Sequence, residues 1–86
     1  MDLHEAIDSI RWYVDHGRPT GGFLRAVLAN DLMQAIGRGD ESSLNNLPAI
    51  CRYIYNEIPG NVHGSYAAVD AHVAAKYAER HPVEQA

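Results

Sequence analysis

The chain has 86 residues, of which 47% are hydrophobic and 21% charged, with a formal net charge of -4. A chain this short makes one domain and buries only about 60–65% of the surface its unfolded form exposes, so its own core is modest and self-association would add burial. Its cations stand singly, at Arg11, Arg18, Arg25, Arg38, Arg52, Lys76 and Arg80. That scatter counts against duplex DNA or an anionic membrane as the main partner, but a small anionic ligand needs only two or three donors.

No apolar run approaches the roughly 20 residues that span a bilayer, and the N-terminal Met1-Asp2-Leu3-His4-Glu5 lacks the layout of a secretion signal. A cytoplasmic protein without membrane contact is expected. Cys51 is the only cysteine, which excludes an intrachain disulfide and a cysteine-based zinc site. Its spacing predicts a core-facing side chain.

In chain order, Leu3, Ala6, Ile7, Ile10 and Val14 recur at helical spacing. They predict a first helix from Asp2, its N-cap, to His16, with Gly17 ending it. Arg18-Pro19-Thr20-Gly21-Gly22 is a predicted turn, in which proline fixes φ and the glycines permit positive φ. From Phe23 to about Ile36, Leu24, Leu28, Leu32 and Ile36 form one stripe of a second helix, flanked by Phe23, Val27 and Asp31.

Gly37-Arg38-Gly39 stops that helix, and Asp40 or Ser43 can cap a short turn carrying Leu44. A third helix begins near Pro48, with Leu47, Ile50, Cys51, Ile54 and Ile58 as its apolar face. After the breaker run Pro59 to Gly64, Ser65 N-caps a last, alanine-rich helix from Tyr66 to about Arg80. Pro82 ends it, and 82–86 are expected to be a frayed tail. Strand alternation is absent. The expectation is one all-α domain over 1–81, a compact bundle of about four short antiparallel helices that self-associates.

The run Tyr13-x3-Gly17-x-Pro19-x2-Gly22-Phe-Leu-x-Ala-Val-Leu-x-Asn30-Asp-Leu continues with Leu47-Pro-x-Ile50, Tyr53-x-Tyr-Asn56-x2-Pro59 and Gly64-Ser65. It resembles a family of short phage and prophage proteins over about residues 10 to 70. Members of that family often carry tryptophan before the closing Gly-Ser, where this chain has His63. The resemblance attaches no single activity. It implies an accessory protein of an infected or lysogenic bacterium, of a kind that often blunts host defence by covering a protein or sequestering a nucleotide-derived signal.

Three groups of residues are candidates for a site. Free N–H groups at Gly21, Gly22 and Phe23, with Arg18 and Arg25 beside them, suit a phosphate or carboxylate, although a tight helix connection uses the same glycines. Asn30 and Asp31 can take ribose hydroxyls or an adenine edge, or can bond backbone N–H groups. Among the rings, Trp12, Tyr13, Tyr53, Tyr55 and Tyr66 can stack on bases or close the ends of the core. His4, His16, His63, His72 and His81 make no metal motif, and no nucleophile or acid pair stands out. No cofactor, metal or catalytic residue is therefore expected.

These features lead to a non-enzymatic protein that binds a small nucleotide-like ligand where subunits meet. In that expectation Arg18, Gly21, Gly22, Phe23 and Arg25 hold phosphate, Trp12, Tyr13 or Tyr53 stacks, and Asn30 or Asp31 takes a polar edge. The rival is an inhibitor or adaptor that covers a host or phage protein. A DNA-associated regulator would need a basic recognition helix, and none is basic enough.

Overall fold

The computed structural model describes residues 1–81, so the expected tail at 82–86 lies outside the described residues. Among the described residues six α-helices follow one another: α1 (Leu3–His16), α2 (Gly22–Leu28), α3 (Leu32–Arg38), α4 (Glu41–Asn45), α5 (Leu47–Glu57) and α6 (Tyr66–Arg80). A 3-10 turn, Gly60–Val62, precedes α6. Among the described residues there is no strand.

Local capping chemistry sets most of these boundaries. Asp2 and Glu5 form a reciprocal box at the start of α1: the Glu5 N–H donates to Asp2 Oδ1 at 2.8 Å and the Asp2 N–H to Glu5 Oε1 at 3.0 Å. Gly17 ends the helix at φ 69, and a Cβ there would run into the Cβ of Lys76 on α6. Only glycine meets both demands. Asp40 caps α4 through the Ser43 N–H at 2.8 Å, Pro48 lies in the first turn of α5, and Ser65 caps α6 through the Ala68 N–H at 3.0 Å.

The expected second helix requires correction, because 23–36 is two helices. Asn30 adopts φ 62; its N–H donates to the Val27 carbonyl at 3.0 Å and the Asp31 N–H to the Ala26 carbonyl at 2.8 Å. This pair of bonds is the Schellman closure, which asparagine tolerates better than most side chains. Asp31 then restarts the chain, accepting the Gln34 N–H on Oδ1 at 3.3 Å as the N-cap of α3. The break, together with a full helical turn at α4, makes six helices where about four were expected.

Breaking the helix also rotates its apolar stripe. Leu24 and Leu28 stay in the core, but Leu32 and Ile36 are 61% and 45% exposed, and Ala35 takes the inward position. The core itself gathers Ala6, Ile10 and Tyr13 from α1, Leu24, Ala26 and Leu28 from α2, Ile50 and Ile54 from α5 and Val69 from α6. Tyr13 is wholly buried and its hydroxyl donates to the Val62 carbonyl at 2.6 Å, tying the 3-10 turn to α1. The Gly64 N–H donates to the Leu28 carbonyl at 2.7 Å, which brings the loop before α6 onto the end of α2.

Candidate functional site

Two hollows lie near the joint between α2 and α3. The first is a polar groove of about 580 Å³ lined by Gly22, Arg25, Asp31, Gln34, Arg38 and Tyr66. Asp31, Gln34 and Arg38 share one face of α3 because steps of three and four residues return to the same side of a helix. The Arg38 Nε donates to Gln34 Oε1 at 3.2 Å, and the guanidinium lies against the start of α2, where a Cβ on Gly22 would come within 3.1 Å of its Nη1. Glycine at 22 is a matter of close approach. The helix is capped at Gly21 with an ordinary φ of -71, so the positive φ expected of these two glycines is not used.

Arg25 reaches the same groove from α2. Its guanidinium pairs with Asp70 of α6 through Nη1–Oδ1 at 2.5 Å and Nη2–Oδ2 at 3.3 Å, and lies 4.9 Å from the centroid of the Tyr66 ring. The forked hydrogen bonds hold the Asp70 carboxyl below the usual carboxylate range and push Arg25 upward. The Tyr66 hydroxyl donates to Asp31 Oδ2 at 2.7 Å. That bond, with desolvation and the carboxylate charge, raises the phenol pKa, against the pull of Arg25 and Arg38.

Gly22, Arg25 and Asp31 are thus the expected site residues that the fold brings together. Gly21 is close by in sequence but has open space around it. Phe23 and Tyr13 belong to the core and offer no free ring face. Burial pushes the Tyr13 hydroxyl up to about 12, the negative charge of Asp70 adding to it and Arg25 opposing it. Arg18 folds back on α1, its guanidinium 5.3 Å from the Trp12 ring centroid, and Trp12 lines a separate shallow groove with Asp8, Arg11, Asp15 and His16. Tyr53, half-buried on α5, accepts a hydrogen bond from Arg11 at 3.3 Å. The expected convergence of Arg18 with Arg25 does not occur within the chain.

Asn30 faces the second hollow. This apolar groove, about 300 Å³, is lined by Val27, Leu28, Cys51, Ile54, Tyr55, His63 and Gly64 as well. A smaller extension bounded by Leu32, Ala35 and Leu47 adjoins it through Val27, Asn30 and Cys51. Cys51 is exposed on its rim, a correction to the expected core position; the apolar surroundings still raise its thiol pKa by desolvation. Tyr55 on the groove wall is 84% exposed; Leu32, which lines the extension, is 61% exposed, and Met33 and Ile36 of the same helix are 78% and 45% exposed.

Arg38 and Gln34 were missed as site residues, and Tyr66 was read only as one ring among several. A signal for them existed: once Asp31 is recognised as a cap, Asp31, Gln34 and Arg38 read as a polar face. Among the described residues, no group of three or more His, Cys, Asp and Glu side chains is arranged to hold a metal ion, and no helix is long and apolar enough to cross a membrane.

No family model, curated protein or solved structure matches the chain.

Proposed function

We propose that the protein is a non-catalytic helical interaction protein that covers a protein partner with the apolar surface formed by α3 and α5. One observation carries this reading: Leu32, Met33 and Ile36 of α3 stand exposed, and Leu32 borders an apolar groove walled by Leu47, Cys51, Ile54 and Tyr55. Fully burying such a side chain contributes about 1.5–3 kcal/mol, so a partner that covered these residues would gain from their burial. The likeness to short phage proteins makes a host protein the partner to seek, and a second copy of the chain the competing occupant.

Light scattering over a concentration series, with capture from a bacterial lysate, tests the reading. The wild-type chain is expected to retain a protein in stoichiometric amount and Leu32→Ser/Met33→Ser to retain none; self-association of the wild type without capture assigns the surface to a second copy instead. A wild-type monomer that captures nothing overturns it.

Sequestration of a small nucleotide-like ligand is the second reading. It is favoured by Gly22, Arg25 and Asp31 sharing the polar groove, and it ranks second because Tyr13 and Phe23 are committed to the core and Arg18 to Trp12.

A further inference from the structure

The polar groove has a charge pattern that narrows what it can hold. Arg25 is paired with Asp70, whereas no carboxylate among the described residues lies within ion-pair distance of Arg38. Among the described residues Arg38 hydrogen-bonds only the neutral Gln34, through Nε, which leaves its terminal N–H groups for an outside acceptor. That guanidinium lies along the groove wall, where glycine at 22 admits its close approach and Gln34 accepts its Nε–H.

Asp31 sets the opposite condition. Its oxygens accept the Gln34 N–H and the Tyr66 hydroxyl and keep further acceptor capacity, so hydroxyl or amino donors are welcome near it and a second negative charge is repelled. The groove, at about 580 Å³, falls within the range of small-molecule sites, about 300–1,000 Å³. A fitting ligand therefore presents one singly charged oxyanion to Arg38 and hydrogen-bond donors to Asp31.

We propose that this groove binds a nucleotide through a phosphodiester, with the phosphate on Arg38 and sugar or base donors on Asp31 and Gln34. A phosphodiester carries one negative charge, whereas a phosphomonoester carries about 1.5–2 at neutral pH and a triphosphate more. The inference rests on the small-ligand reading and is independent of the apolar surface across α3.

Calorimetric titration of the full chain with 3′,5′-cyclic AMP, 5′-AMP, ATP and inorganic phosphate tests it. Cyclic AMP is expected to bind saturably below about 1 mM, with ATP and inorganic phosphate at least about tenfold weaker. Arg38→Met should weaken cyclic AMP by about tenfold or more, the scale of a lost charge-assisted hydrogen bond, with an unchanged circular dichroism spectrum. Asp31→Asn retains a good N-cap; it should weaken cyclic AMP several-fold and strengthen ATP. Leu32→Ser/Met33→Ser should bind cyclic AMP as the wild type does, which separates this site from the interface. Absence of heat with cyclic AMP up to about 1 mM, equal affinity in Arg38→Met, or tighter binding of ATP or inorganic phosphate overturns the proposal.

Discussion

The two sides of α3 close in opposite ways. On the polar side Asp31, Gln34, Arg38, Arg25 and Tyr66 bond to one another or to Asp70, and among the described residues no buried side-chain nitrogen or oxygen lacks a partner. On the apolar side Leu32, Met33 and Ile36 have no comparable cover. Directed groups can find partners across a small surface, whereas apolar area is removed from water only by bulk, which a chain of this size has little of. The polar side is thus largely satisfied by its own bonds, whereas the apolar side leaves area in contact with water.

The strongest way to break this contrast is to undermine the wall that stands behind the apolar groove. Leu28 is fully buried and also lines that groove, so Leu28→Ala should cost about 2–5 kcal/mol in chemical denaturation. A loss below about 1 kcal/mol would mean that the groove collapses onto the gap.

Tyr13 is next. Tyr13→Phe leaves the Val62 carbonyl without its donor, and an unfolding loss of about 1–3 kcal/mol is expected. The pH dependence has a definite sign. A hydroxyl raised from its ordinary value near 10 to about 12 in the folded chain contributes stability that is complete below pH 10 and lost as pH rises toward 12. Alkaline titration of the wild type and Tyr13→Phe should converge across that window; curves that stay parallel would contradict the burial argument.

Asn30→Val sharpens the contrast by attacking the joint between the two helices. A β-branched residue at φ 62 should cost about 1–3 kcal/mol, whereas Asn30→Gly should be near neutral. The smallest effect belongs to Leu32→Ser/Met33→Ser, whose stability should stay within about 0.5 kcal/mol per site while association is lost. A marked destabilisation would place these side chains in the chain's own packing.

Both ends of α1 and the starts of α5 and α6 were legible in the sequence because capping is local: Asp2, Gly17, Pro48 and Ser65 each act on backbone groups a few residues away, whereas at α4 the sequence offered only a short turn with Asp40 or Ser43 as its cap. The break at Asn30 was not legible, because the row Leu24, Leu28, Leu32, Ile36 keeps helical spacing across it. Periodicity records which residues would share a face if the helix continued, and it cannot register one left-handed residue. The site was affected as well: Arg38 was read only as part of the run that stops the helix, and Arg18 was set beside Arg25 because both flank the glycine turn.

By itself, then, the sequence determined the helical class, most helix ends and the participation of Gly22, Arg25 and Asp31 in one region, all consequences of short-range chemistry. Only the tertiary structure decided which groups meet across elements. It put Arg38 against Gly22 and Tyr66 on Asp31, took Tyr13 and Phe23 into the core, and turned Leu32 and Ile36 outward. The turn at Asn30 redirects α3, and the other outcomes are contacts between elements far apart in sequence, which no residue's local preference encodes.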